Sequence, residues 1–360
     1  MRELGLRPGV LPSGAHNAIT DVAGVTVGHV TVWRDEPEPP VGLGCARTGV
    51  TVVVPPEPGR TYAEPLAAGA AVLNGAGELT GKLEIAEWGV LQTPLYLTST
   101  MQVGRVYDGA VAAAVASDPA IGLSRVVVPV VGECDDSWLS ESRVPQVEAD
   151  DARRALAAAT AGAVAEGCVG AGTGMTTCGW KAGIGTSSRV VREVDATVGV
   201  LVLANFGSAR DLRVDGVAVG EVAGAGIESP PPPGGSCIAV VSTDAPLGPD
   251  QLERVARRCG LGVARVGSVA HHGSGEIFVA FSTTRRVVKG DTRIRREIET
   301  VPDSQLDELF AATVEATEEA VLNALWAAVD TVGREGRLAR ALPHDETLEL
   351  LSRHGRLDRS

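Results

Sequence analysis

Aromatic side chains are scarce in this 360-residue chain, which has four Phe, five Trp and three Tyr against 44 Gly. A core of that composition rests mainly on Val, Ala and Leu, with close backbone approaches and many tight turns between short strands. Basic runs are equally limited. The net charge is −13, and the one basic cluster, "TRRVVKGDTRIRRE" at 284–297, is interleaved with acidic and apolar residues. Phosphate recognition needs a concentrated basic face, so no nucleic-acid partner is expected and the cluster reads as a solvated strand or loop. No apolar run reaches the roughly 18–20 residues that span a bilayer. The opening "MRELGLRPGVLPSG" lacks the apolar segment of a signal peptide. No membrane partner is therefore expected, and the predicted location is the cytoplasm. Six cysteines (Cys45, Cys134, Cys168, Cys178, Cys237, Cys259) form no C-x-x-C and no paired spacing, and read as reduced thiols. Six histidines offer no ligand set with metal spacing, so no metal is expected, and the leading reading below needs no cofactor. No repeat of solenoid period occurs.

What the chain does have is 44% hydrophobic residues and enough length to bury one large core. "TGVTVVVPP" (48–56), "TPLYLTST" (93–100), "ATVGVLVLANFG" (196–207) and "IAVVSTDAPL" (238–247) read as strands. "EADDARRALAAATAGAVAEG" predicts a helix over 148–167, with an acidic start and a terminal glycine. "PDQLERVARRCG" predicts another, stopped by Gly260. Leu306, Leu309, Phe310, Val314, Val321 and Leu325 recur at helical spacing, predicting a long amphipathic helix against a sheet. "NAITDVAGVTVGHVTVW" (17–33) reads as a hairpin, "AEPLAAGAAVLNGAGELTG" (63–81) as a loop or short helix, and the last 17 residues as a charged tail. The Pro/Gly cluster at 224–235 is a linker signal, yet neither flank has the strands to close its own core. The alternation predicts a layered α/β fold, a single domain over 1–360 interrupted by a special loop.

Three stretches carry chemistry. Four prolines and two glycines stand directly before Ser236 in "PPPPGGS". Attack of Ser236 Oγ on the Gly235 carbonyl would be an N-to-O acyl shift, and hydrolysis of the ester would leave Ser236 as a chain terminus. Glycines at 234 and 235 leave room for that attack. The freed α-amine, with a reference pKa of roughly 7.7–8.0, would then serve as base for its own hydroxyl. The stretch also reads as an ordinary Pro/Gly turn before a strand. In "HHGSGEIFVAFST", Ser274 and Glu276 lie two residues apart, so an extended strand puts hydroxyl and carboxylate on one face, where they could orient a nucleophile. A turn leading into a core strand is the alternative. Asn205 ends a central strand, where its amide could donate to an oxyanion or cap a turn. "GAGTGM" (170–175) resembles half of a phosphate loop, without the Lys-Ser or Lys-Thr pair. Three readings stay open here: a self-processing hydrolase, a nucleotide- or cofactor-binding protein using the 170–174 loop, and a non-catalytic oligomeric scaffold.

Taken in order, "NAITDVAGVTVGHVT", "VLNGAGELTG", "PVVGECDDSWLS", "GAGTGM…GWKAGIGTSSR", "VLANFG…DLRVDG", "GGSCIAVVSTDAPL" and "GSGEIFVAFST" resemble the family of N-terminal-nucleophile aminopeptidases. That family includes the L-aminopeptidase/D-amidase-esterases and the β-peptidyl aminopeptidases. The resemblance runs through almost the whole chain. It implies a four-layer αββα sandwich and self-cleavage between Gly235 and Ser236 into chains 1–235 and 236–360. It further implies Ser236 as nucleophile, Ser274 and Glu276 orienting and tuning it, and Asn205 stabilising the oxyanion. Glu133, in "VVGECDDSW", stands where some members hold the substrate's free amine. Some relatives carry a tyrosine in this segment; Cys134 and Trp138 stand in the neighbourhood here. The implied substrates are small peptides or aminoacyl amides and esters, and the implied assembly is a homo-oligomer of αβ heterodimers.

Overall fold

The structure is a computed structural model that describes residues 1–224, 235–288, 292 and 297–357. In chain order its strands are β1 (Thr26–Asp35), β2 (Cys45–Val54), β3 (Leu66–Gly75), β4 (Val90–Leu91), β5 (Leu95–Ser99), β6 (Val130–Cys134), β7 (Thr176–Thr177), β8 (Trp180–Lys181), β9 (Ile184–Val191), β10 (Ala196–Asn205), β11 (Ser236–Thr243), β12 (Gly275–Arg286), β13 (Thr331–Val332) and β14 (Leu338–Ala339). The α-helices are α1 (Lys82–Trp88), α2 (Val103–Ser117), α3 (Ala149–Ala157), α4 (Val219–Ala223), α5 (Pro249–Arg265), α6 (Asp307–Trp326) and α7 (His344–Arg353).

Two sheets face each other. One has the order β1-β2-β5-β6, the other β4-β3-β12-β11-β10-β9. Only the β5/β6 and β11/β12 pairs are parallel in these two sheets. Helices α2 and α3 cover the outer face of the four-stranded sheet, and α5 and α6 that of the six-stranded one, giving a four-layer αββα sandwich. Period-two alternation sorts each strand's residues between layers. Along β11, Cys237, Ala239 and Val241 face the α5/α6 layer, while Ile238 and Val240 face the other sheet. Burial on both faces is why this strand reads as one continuous apolar run.

Here the glycine-rich, aromatic-poor composition acts. A Cβ on Gly185 of β9 would stand 1.9 Å from the Ala320 carbonyl oxygen in α6, and one on Gly69 of β3 would stand 2.2 Å from the Glu253 nitrogen in α5. Bare strand positions let helix backbones rest directly on the sheet.

Several local expectations give way to tertiary contacts. Residues 63–81 hold strand β3, flanked by β12 and β4, rather than a loop or short helix. The segment 17–33 supplies a single strand, β1, after a 3-10 turn at Ile19–Asp21, and the hairpin partner of β1 is β2. The helix expected over 148–167 stops at Ala157, because Thr160 leaves it to exchange two backbone hydrogen bonds with Val27. Helix α5 runs through Gly260 to Arg265, since glycines here serve close packing: a Cβ on Gly262 would meet Thr317 Cβ at 2.5 Å. Helix α6 has no solvated face over most of its length. Glu315, Glu318 and Glu319 are buried too, with Glu315 and Glu319 paired to the buried Arg189. The expected charged tail contains α7, which buries Leu351. The prolines at 230–233, Gly234 and half of the basic cluster lie outside the described residues.

Candidate functional site

Ser236 opens β11, a strand apolar on both faces, and is itself buried. In the sheet register it stands directly across from Asn205, the last residue of β10, and beside Gly275, the first of β12. Directly paired residues share a face, so Ser236 and Asn205 both project towards the other sheet, as Ile238 and Leu203 do. Ser236 meets a cleft of about 510 Å³ whose lining also includes Gly77, Thr100, Glu133, Asp135 and Gly235. Ser236 Oγ is buried, with the Cys134 thiol beside it and no other hydrogen-bonding group in reach among the described residues. A hydroxyl left in that state is available for chemistry rather than committed to structure.

Ser274 and Glu276 meet as their spacing predicts: Ser274 Oγ donates to Glu276 Oε1. Burial pushes the Glu276 carboxyl above its usual range, against the bond from Ser274, and its Oε2 has no hydrogen-bond partner among the described residues. The pair lies along the main chain at the 235–236 bond. A Cβ on Gly235 would stand 3.2 Å from Ser274 Oγ and 3.1 Å from the Asn205 carbonyl oxygen, so the bare Gly235 is what admits this approach. Residue-type patterns miss one more participant. The Gly275 N–H donates to the Gly235 carbonyl oxygen at 2.9 Å, polarising the carbonyl that precedes Ser236. A main-chain donor leaves no signature in the sequence. The only trace is that residue 275 is a glycine, whose Cβ would collide with the Ala76 carbonyl oxygen at 2.6 Å.

Asn205 is held at both ends of its amide. Oδ1 accepts the Thr176 N–H at 3.1 Å, and Nδ2 donates to the Asp135 carbonyl oxygen at 2.8 Å. An amide nitrogen carries two hydrogens, so one donor remains beyond that bond. The glycine-rich 170–174 segment is what delivers Thr176. It is a buried 3-10 turn whose Gly170 and Ala171 N–H groups are taken by Thr31 Oγ1 and Thr51 Oγ1, while the Lys181 ammonium grips the Gly172 and Met175 carbonyls. With its amides turned inward, this segment is a buttress for Asn205 and no phosphate cradle.

Glu133, in β6, is buried at the cleft with both oxygens engaged: Oε1 accepts the Glu78 N–H at 2.8 Å and Oε2 accepts the Thr100 hydroxyl. Burial raises its pKa, more than those two bonds lower it. The carboxylate is thus fixed in place and partly starved of solvent, a setting that strengthens pairing with a cation. Cys134 is fully buried behind Ser236, its thiol donating to the Leu203 carbonyl at 3.6 Å. Burial pushes that thiol well above its ordinary range, so it packs rather than reacts. Trp138, half-buried, gives its carbonyl to Arg337. No group of three or more potential metal ligands gathers among the described residues.

Comparison with known proteins agrees with this geometry. Residues 17–339 match peptidase family S58. The β-peptidyl aminopeptidase BapA of Sphingosinicella xenopeptidilytica is 42% identical over 365 residues, covering 97% of this chain and 90% of that protein. Among solved structures, the PH0078 protein of Pyrococcus horikoshii superposes with a TM-score of 0.93 at 42% identity, over 99% of both chains. The L-aminopeptidase D-Ala-esterase/amidase of Ochrobactrum anthropi, described as a prototype serine aminopeptidase with a variant Ntn-hydrolase fold, superposes with a TM-score of 0.90 at 37% identity, again over 99% of each. The matched span, the identity to BapA and the shared fold together make this chain a peptidase, a member of family S58 with the Ntn-hydrolase fold.

Proposed function

We propose that the chain cleaves itself between Gly235 and Ser236 and then removes N-terminal residues from small peptides, amides or esters through Ser236. The observation that carries this reading is the buried Ser236 hydroxyl, held by nothing stronger than the Cys134 thiol, beside a Gly235 carbonyl already held by the Gly275 N–H. In maturation, Ser236 Oγ bonds to the Gly235 carbonyl carbon, the C–N bond breaks, and the hydroxyl proton passes to the nitrogen. Water then hydrolyses the ester, leaving chains 1–235 and 236–360. In turnover, the new α-amine takes the proton from Oγ, and Ser274 with Glu276 orients the amine and hydroxyl. The free N–H of Asn205 faces the developing oxyanion, and Glu133 takes the ammonium of the substrate.

Similarity to β-peptidyl aminopeptidases supports including peptides with an N-terminal β-residue among the substrates, and similarity to the L-aminopeptidase D-Ala-esterase/amidase supports α-aminoacyl amides and esters. A homo-oligomer of αβ heterodimers in the cytoplasm completes the reading. Among the described residues no helix is long and apolar enough to cross a membrane.

Denaturing intact-mass measurement with N-terminal sequencing tests the proposal. Two chains are expected, the second beginning Ser-Cys-Ile-Ala, while Ser236→Ala is expected to stay whole and lose activity. A Ser236→Ala protein that still hydrolyses aminoacyl amides would overturn it.

A further inference from the structure

The cleft that holds Glu133 and Ser236 also carries positive charge. Its lining includes Ser142, Arg143 and Arg334. Arg334 is positioned by its backbone: it follows Gly333, whose Cβ would stand 2.5 Å from the Leu139 carbonyl oxygen, and its own N–H donates to that oxygen at 2.8 Å. Arg337 adds a bond to the Trp138 carbonyl at 3.1 Å, so the turn between β13 and β14 is clamped onto the 138–143 loop. Both arginines lean on one buried carboxylate. Glu141 Oε2 lies 2.5 Å from Arg143 Nη2 and 3.8 Å from Arg334 Nε. The Arg143 guanidinium, with Arg334 adding to it, holds the Glu141 carboxyl down at about 2, so the anchor stays charged.

That scaffold leaves capacity unused. Arg334 Nη2 is paired with Glu335 Oε1 at 2.8 Å, but its Nε, 3.8 Å from Glu141 and beyond hydrogen-bond reach, and Ser142 Oγ are both buried at the cleft with no hydrogen-bond partner among the described residues. Buried donors without acceptors are costly and uncommon unless a ligand or solvent completes them. The missing partner has to be an acceptor, and beside two guanidiniums it is best an anionic one with two oxygens.

We propose that Ser142, Arg143 and Arg334 form a carboxylate-binding end of the cleft, so that the preferred substrate is a short peptide, with its free C-terminal carboxylate on the leaving residue. This rests on the aminopeptidase reading above and deepens it. A cleft that takes an ammonium at Glu133 and a carboxylate at the arginines is built for a zwitterion with both termini inside. A cleft of about 510 Å³ suits a substrate of very few residues. The anchor joins the two proposed chains, since Ser142 and Arg143 belong to 1–235 and Arg334 to 236–360.

The test compares a dipeptide with its C-terminal amide, using matured protein, with the aminoacyl p-nitroanilide of the same first residue alongside. Wild type is expected to favour the free acid by about tenfold or more in kcat/KM, chiefly through KM. In Arg334→Gln, and separately in Ser142→Ala, the acid-to-amide ratio is expected to fall towards one. Because the ratio is taken within one preparation, loss of folded enzyme cancels. Equal rates for acid and amide in wild type, or a preference that survives both substitutions, would overturn the carboxylate site while anilide hydrolysis leaves the aminopeptidase reading standing. Inactivity on all three substrates would take down the aminopeptidase reading and this site with it.

Discussion

At the scale of single residues, Glu133 shows how burial sets a role. Its oxygens are fixed by the Glu78 N–H and the Thr100 hydroxyl, and burial raises its pKa. A raised value means that the carboxyl becomes neutral at a higher pH than an ordinary glutamate, whose reference is about 4.3. KM for substrates with a free amine is therefore expected to climb as pH falls through that raised value, with esters and amides of N-blocked amino acids showing no such trend. Glu133→Gln keeps the shape and an acceptor for the Glu78 N–H but removes the charge. A rise of about tenfold in KM with a smaller change in kcat is expected, and steady-state kinetics at neutral pH with an unchanged KM would remove Glu133 from amine binding.

At the scale of elements, the site is a product of strand register. Antiparallel β10/β11 sets Asn205 across from Ser236, and parallel β11/β12 sets Gly275 beside it, so three strand ends converge on one peptide bond. The Gly275 N–H reaches the Gly235 carbonyl only because β12 approaches the 76–77 loop with no side chain at that point. Gly275→Ala pushes a methyl into the Ala76 carbonyl oxygen and displaces the donor. Maturation is expected to slow by about a hundredfold or more, roughly what losing one oxyanion-type donor costs. A time course of intact mass after expression, with circular dichroism to confirm the fold, measures it; unchanged processing would remove the Gly275 N–H from the reaction.

At the scale of the whole molecule, cleavage after Gly235 would not release two bodies. Strands β11 and β12 of the second chain would lie in the middle of the six-stranded sheet, flanked by β10 on one side and β3 on the other, both from the first. Across the same divide, Arg189 is paired within α6 to Glu315 and Glu319. The cut chains are therefore expected to co-elute in native size-exclusion chromatography and to part only in denaturant; separation in native buffer would contradict the interleaved sheet. Acid is expected to weaken the association. Burial pushes the Glu319 carboxyl up, but Arg2 and Arg189 outweigh it and hold the pKa below the ordinary value. The stabilisation is thus present above the unfolded-state pKa and is lost as pH falls through the lower folded-state value.

The features legible from residue order alone are local and ordered. A serine behind two glycines, a Ser-x-Glu pair on a strand and an Asn at a strand end are readable because residue type and period-two alternation are properties of short segments. The layered architecture and the peptidase family were legible for a related reason: the motifs keep one order along the chain. Tertiary structure alone decided the rest. That β3 is a strand, that the helix from Ala149 ends at Ala157, and that Gly260 lies inside α5 all depend on partners far away in sequence. The Gly275 donor, the Thr176 N–H behind Asn205 and the clamp of Arg334 onto the 138–143 loop depend on main-chain groups that every residue possesses. Such groups are informative only once folding has placed them, which is why composition and motif leave them unread.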